Sequence, residues 1–199
     1  MITEYFDEYT KNITKTLAEI DPEALELAYQ VIKNTILNHG RIFVMGNGGS
    51  AAIASHLATD FFKGVRTNTE IVSPQVISLN DNMALVTAIA NDIGYDDTFR
   101  YQLFGHKATV KDMVIVISSS GNSPNIVNAL EWANRWQIPT IAIVGFSGGR
   151  AKEIADLAIH IPVDAYNLSE DCSQIIMHCL AATLRKQFLM DGLACIHPF

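Results

Sequence analysis

The spacing of apolar residues changes at Gly40. Before it, Leu25, Leu27, Ala28, Val31, Ile32 and Ile36 fall near a 3.6-residue period, the pattern of an amphipathic helix. Asp21 and Pro22 precede this run as candidate N-cap and first helical residue, and His39-Gly40 closes it. The first forty residues thus read as two helices separated at Ile20-Asp21-Pro22-Glu23. After Gly40, short runs rich in Val and Ile alternate with longer amphipathic stretches. The short runs predict strands at 41–45, 75–79, 113–117, 139–144 and 157–161, and the longer ones predict helices at 50–62, 82–91, 123–136, 148–156 and 168–189. Strands that are apolar throughout belong to parallel sheets covered on both faces, so the fold class expected is α/β. No repeat, low-complexity tract or linker divides the sequence. One domain is expected over 1–199, with a helical arm at 1–40, an α/β core at 41–190 and a loose tail at 191–199.

Composition narrows the function. Of 199 residues, 49% are hydrophobic and 18% charged, which supplies a substantial core and argues against disorder. The net charge of −7 disfavours nonspecific nucleic-acid binding. No apolar run is long enough to span a bilayer. The acidic start Met1-Ile2-Thr3-Glu4-Tyr5-Phe6-Asp7-Glu8 lacks the basic-then-apolar pattern of a signal peptide. Cys172, Cys179 and Cys195 show no CxxC spacing and read as reduced thiols. A cytoplasmic protein is expected, without nucleic-acid or membrane partners.

Two Gly/Ser loops carry the candidate chemistry. Gly46-Asn47-Gly48-Gly49-Ser50 follows Arg41-Ile42-Phe43-Val44-Met45, and Ser118-Ser119-Ser120-Gly121-Asn122-Ser123 follows Met113-Val114-Ile115-Val116-Ile117. Each lies where a buried strand hands over to a helix. Small residues let the backbone approach a ligand closely, N–H groups at a helix start point at it, and the helix dipole favours negative charge. A phosphate fits there, and a phosphorylated sugar is the ligand expected. A turn and a helix cap need only one serine, with Ser123-Pro124 as the natural cap pair; the other serines have no evident structural task. The first loop is neither GxGxxG nor a Walker loop, so a nucleotide is not the first reading. In an open parallel sheet, loops at the carboxyl ends of strands converge on one edge, which points to a single pocket.

Two helices add polar groups. His56 and Asp60 stand four residues apart on one helical face. Glu170 and His178 stand eight apart on the last helix, with Gln174 between them. Such a set can hold a divalent metal such as zinc, supply an acid and a base, or form a hydrogen-bond network between helices. His39, His106, His160 and His197 read as surface or capping groups. Trp132 and Trp136, four apart on a helix, read as packing or a subunit contact.

The loop Gly46-Asn47-Gly48-Gly49-Ser50, the pair His56 and Asp60, the segment Asn91-Asp92-Ile93-Gly94 and the serine loop 118–123 occur together and in this order. The combination resembles the SIS (sugar isomerase) domain family, and within it the phosphoheptose isomerases. That resemblance implies a flavodoxin-like three-layer sandwich with a five-stranded parallel sheet, assembled as a homotetramer with active sites at subunit interfaces. It implies conversion of sedoheptulose 7-phosphate to D-glycero-D-manno-heptose 7-phosphate, an early step toward the heptose of bacterial lipopolysaccharide. By the same resemblance Ser118, Ser119, Ser120 and Ser123 hold the phosphate, and Asn47, Gly48, Gly49, Ser50, Asp92 and Glu170 contact the substrate. His56, Asp60, Glu170 and His178 would bind zinc or another divalent metal. The sequence departs from the family pattern in carrying Asp60 for glutamate, Glu170 for glutamine and Asn167 for aspartate.

Aldose–ketose isomerisation through an enediol needs a base, an acid and stabilisation of the developing oxyanion. Asp60 is the expected base and His178 its acid/base partner, while the serine loop anchors the remote phosphate. Three alternatives accompany this expectation: an isomerase of a related sugar phosphate, a non-catalytic adaptor of the same fold that binds the bacterial replication initiator, and a sugar-phosphate-sensing module.

Overall fold

The computed structural model describes residues 1–65 and 74–192. Helix α1 (Ile2–Ala18) and α2 (Pro22–Leu37) lead into β1 (Arg41–Gly46), α3 (Gly49–Thr59) and a π-helical turn (Asp60–Gly64). Strand β2 (Gln75–Ser78), α4 (Met83–Asp92), a 3-10 turn (Tyr95–Asp97) and α5 (Thr98–Gly105) follow. The rest is β3 (Met113–Ser118), α6 (Pro124–Arg135), β4 (Thr140–Val144), α7 (Gly149–Ile154), β5 (Leu157–His160) and α8 (Tyr166–Met190). The expected cap is present: Asp21 accepts a hydrogen bond from the Glu23 amide at 2.9 Å, with Pro22 opening α2.

All five strands are parallel, in the order β2-β1-β3-β4-β5, as the expected flavodoxin-like sandwich requires. Alternation along the strands divides the core into two layers. Ile42, Val44, Ile115, Ile117, Ile141, Ile143 and Ile159 pack beneath α2, α3 and α8. Phe43, Met45, Val114, Val116, Ala142 and Val144 face α5, α6 and α7, where Phe99, Leu103, Ile126, Leu130 and Ala151 meet them. Both faces are thus sealed, and the polar ends of the strands are left for function. Tyr9 ties the helical arm to the core by donating to Asp171 on α8 at 2.7 Å.

The structure revises several expectations. Helix α5 was not foreseen, because Phe99 and Leu103 are its only buried apolar residues, too few to register as a period. The helix expected over 50–62 turns α-helical at 49 and gives way at Asp60 to the π-helical turn, where the Val65 amide donates to the Asp60 carbonyl at 3.1 Å. Ser123 occupies the N-cap position of α6 but makes no side-chain cap bond. His160 has partners: its Nε2 lies 2.7 Å from the Phe146 carbonyl oxygen and its Nδ1 lies 3.1 Å from Lys152 Nζ. Trp136 is 57% exposed, whereas Trp132 packs on the second core layer. Cys172 is a buried free thiol, pushed up to about 11 by desolvation and then by the Asp171 charge, and Cys179 is exposed. Cys195, His197 and most of the expected tail lie outside the described residues.

Candidate active site

Strands β1 and β3 are neighbours whose connections leave in opposite directions along the sheet, so a crevice opens between their carboxyl ends. Both Gly/Ser loops open into it. Asn47, Ser50, Ser118, Ser119, Ser120, Ser123, Tyr166 and Glu170 line a cavity of about 130 Å³. The close approach of α3 to β1 depends on Gly46, where a Cβ would lie 2.6 Å from the Ser50 backbone. Asn80 brackets that residue, accepting from its amide at 3.2 Å and donating to its carbonyl at 2.9 Å. In the serine loop Gly121 has φ of +66°, and a Cβ there would collide with the Gly148 carbonyl oxygen.

The serine hydroxyls do more structural work than the sequence suggests. Ser118 Oγ accepts from the Gly121 amide at 3.1 Å and Ser120 Oγ accepts from the Asn122 amide at 3.3 Å. An accepting hydroxyl still has its own hydrogen to donate. Among the described residues none of the Ser118, Ser119, Ser120 and Ser123 hydroxyls donates to an acceptor, so all four can offer O–H donors to the cavity, the complement of an anion. Gly48 and Gly49 flank the cavity without lining it.

A second group forms further along the same two helices. His56 Nε2 lies 3.5 Å from Asp60 Oδ1, and His178 Nε2 lies 3.3 Å from Asp60 Oδ2. The two Nε2 atoms are 3.5 Å apart. The Asp60 side chain is 15% exposed, against 49% and 46% for the two histidines. Asp60 Oδ2 is buried and accepts no hydrogen bond. A buried carboxylate oxygen without a donor, with His178 Nε2 facing it and His56 Nε2 facing its sister oxygen, invites a proton or a cation. The N,N,O donor set also suits zinc or a similar divalent ion.

Glu170 does not join this group. Eight residues are two helical turns plus about 80°, so Glu170 turns to the cavity while His178 turns to α3. Its carboxylate sits against Gly49, where a Cβ would collide with it. Gln174, between them, places its amide nitrogen 2.9 Å from His178 Nε2. The structure does not bring Asp92 to the cavity either: it is exposed at the end of α4 and accepts from the Asn91 amide at 2.7 Å. Sequence reasoning missed Tyr166, which lines the cavity one turn before Glu170. It also missed Asn125, which pairs with Asn47.

A doubly wound sheet with a donor-rich cradle at its switch point, beside a carboxylate held between imidazoles, defines a phosphosugar-handling enzyme. Comparison with known proteins is more specific. Residues 4–145 match the SIS domain. The phosphoheptose isomerase of Helicobacter pylori is 32% identical over 190 residues, covering 94% of this chain and 96% of that protein. That of Chlorobaculum parvum is 31% identical over 175 residues, covering 86% and 82%. Among solved structures, a phosphoheptose isomerase from Francisella tularensis superposes with a TM-score of 0.82 at 27% identity, covering 93% of this chain and 96% of that one. The chain belongs to the SIS domain family and, within it, to the phosphoheptose isomerases.

Proposed function

We propose that this protein isomerises sedoheptulose 7-phosphate to D-glycero-D-manno-heptose 7-phosphate through an enediol. The observation that carries the reading is the placement of two chemically different groups along the same helix pair. On α3, Ser50 and His56 are six residues apart, an axial distance of about 9 Å. On α8, Glu170 and His178 are eight apart, about 12 Å. A phosphate in the serine cradle puts the far end of an extended seven-carbon chain near Asp60, which a triose phosphate would not reach.

In this reading Ser118, Ser119, Ser120 and Ser123 donate to the phosphate, and their binding energy orients the reacting end. Asn47, Gly48, Gly49, Ser50 and Glu170 contact the sugar, with the Glu170 carboxylate accepting from hydroxyl groups. Asp60 abstracts the proton and His178 exchanges one with the substrate oxygens. The residues that would hold a metal are His56, Asp60 and His178, with Gln174 rather than Glu170 beside them. Such an ion, when bound, would polarise the carbonyl and hydroxyl oxygens of the sugar.

The homotetramer belongs to the same proposal. Helix α4 is rich in apolar residues yet buries only Ile89, and it carries Asp92 away from its own cavity. A neighbouring protomer would cover that helix and receive Asp92. A cytoplasmic setting and a role in lipopolysaccharide heptose supply fit the same substrate.

The test is incubation with sedoheptulose 7-phosphate, with added zinc or with EDTA, followed by NMR in D₂O. New aldose signals with deuterium at C2 establish the reaction, and loss of turnover in EDTA makes the metal functional. No product and no exchange under any condition would overturn the assignment.

A further inference from the structure

Four side chains close a hydrogen-bond circuit on the cavity wall. Asn47 lines the cavity, and Asn125, in the first turn of α6, is 1% exposed. They form a reciprocal amide pair: Asn47 Nδ2 donates to Asn125 Oδ1 at 2.8 Å, and Asn125 Nδ2 donates to Asn47 Oδ1 at 3.0 Å. Asn125 Nδ2 also reaches Thr98 Oγ1 at 3.4 Å. Thr98 donates its hydroxyl to the Tyr95 carbonyl at 2.9 Å, and the Tyr95 hydroxyl donates to Asn47 Oδ1 at 2.8 Å. The circuit leaves Tyr95 at its carbonyl and re-enters it at its hydroxyl.

This circuit has one polarity. Thr98 spends its hydroxyl hydrogen on the Tyr95 carbonyl, so its oxygen can only accept from Asn125. Asn125 must then present Nδ2 on that side and Oδ1 to Asn47. A flipped Asn47 would set its NH₂ group against the NH₂ of Asn125 and its oxygen against Asn125 Oδ1, and it would cost Tyr95 the acceptor to which its hydroxyl now donates. In the orientation present, Oδ1 of Asn47 accepts twice and Nδ2 donates once. Among the described residues one Nδ2 hydrogen of Asn47 has no partner, so the group Asn47 can offer a ligand is a donor.

We propose that Tyr95 is a positioning residue for phosphosugar binding: its hydroxyl holds the Asn47 amide so that nitrogen, not oxygen, is turned to a bound sugar-phosphate oxygen. The identity of the ligand rests on the isomerase reading above; the circuit does not. Tyr95 is 54% exposed, so removing its hydroxyl leaves the core untouched. Asn125 is enclosed and makes a poor probe.

The experiment measures KM and kcat for sedoheptulose 7-phosphate in the wild type, Tyr95→Phe, Asn47→Ala and the double variant. It adds ¹H–¹⁵N spectra of the side-chain amides, with the Asn47 pair identified by its absence from Asn47→Ala. Loss of one neutral hydrogen bond predicts a KM raised about 3- to 10-fold in Tyr95→Phe, with kcat within about 2-fold. The Asn47 amide signals move in Tyr95→Phe, the melting temperature does not, and the tyrosine substitution has no further effect in Asn47→Ala. Independent losses in the double variant, or a wild-type KM with unmoved amide signals, overturn the proposal. If the wild type turns over no sedoheptulose 7-phosphate, the isomerase reading falls. The side-chain amide spectra then decide the positioning without any ligand: Asn47 signals that move in Tyr95→Phe at an unchanged melting temperature support it, and unmoved signals overturn it.

Discussion

Replacing Asp60 with asparagine separates catalysis from binding. The change swaps one oxygen for an NH₂ group of nearly the same size in a side chain 15% exposed, so it opens no cavity. The oxygen at stake, Oδ2, accepts no hydrogen bond and faces His178 Nε2 at 3.3 Å. An amide there can donate to the imidazole, so folding stability should change by no more than about 1 kcal/mol. In the proposed mechanism the chemical step loses its base. A positioned general base contributes about 10²- to 10⁴-fold, or roughly 3–5 kcal/mol of barrier. Turnover should fall by that factor. KM should stay within about 3-fold, because the proposed phosphate ligands are serines of the other loop, outside the Asp60 group. The assay is deuterium incorporation at C2 in D₂O, followed by NMR, with the melting temperature as control. Asp60→Glu should lose about 10- to 100-fold, since the aspartate already sits between both imidazoles and an added methylene displaces its oxygens by about 1 Å. Near-normal turnover in Asp60→Asn, with a wild-type melting temperature, would refute the base assignment.

Four further outcomes follow from the same geometry. Ser119→Ala and Ser123→Ala should each raise KM about 10- to 100-fold, the cost of one hydrogen bond to a charged group, with kcat little changed in steady-state assays. Gly121→Ala should cost about 2–4 kcal/mol in urea denaturation, combining a positive φ with overlap on the Gly148 carbonyl. Zinc at a hundredfold excess over its Kd should stabilise the wild type by about 2.7 kcal/mol and leave His178→Ala unmoved, read by thermal melting. At the opposite end of the sheet, burial works against the Asp112 carboxylate, but hydrogen bonds from Arg41 and the Thr109 amide outweigh it and hold the group below the usual carboxylate range. Its contribution is complete above the unfolded pKa of about 4 and fades as pH falls through the lower folded value. The stability gap between wild type and Asp112→Asn, measured by denaturant titration, should therefore be full at pH 7 and close below about pH 4.

The strands were legible to within about a residue because β1, β3 and β4 are buried on both faces, which favours continuous apolar runs, and the half-buried edge strands β2 and β5 keep apolar residues on their inner positions. Helix α5 was not legible: Phe99 and Leu103 point inward, but His106, Lys107 and the polar flank break any period. The π-helical turn is tied to tertiary structure, since Arg185 on α8 donates to the Gly64 carbonyl at 2.5 Å, and no local pattern announces that contact. The serine cradle was readable because small polar residues after an apolar strand have few other uses. Its hydrogen-bond accounting was not, because which hydroxyls accept from the loop depends on the turn they fold into. His56, Asp60 and His178 could be placed by helical period. The parting of Glu170 from His178 depends on the 80° that two full turns leave over, together with the packing of α8 against α3.

That parting changes what the substitutions relative to the family pattern mean. On sequence alone, Glu170 for glutamine adds a negative charge to a metal site and Asp60 for glutamate shortens its carboxylate. In the structure the two carboxylates occupy different ends of the site. Asp60 stands between two imidazoles. Glu170 lies against Gly49, at the start of α3, where the helix dipole favours a negative group. The proposed phosphate donors belong chiefly to the other loop, at the start of α6. The Glu170 carboxylate is therefore held at the start of α3, on the α3 side of the cavity it shares with the serines. Glycine at position 49 is what permits this, because a Cβ there would collide with the carboxylate and displace it within the cavity it shares with the serines. Lost phosphate affinity in Gly49→Ala that is recovered in the Gly49→Ala, Glu170→Gln double variant would follow from this arrangement.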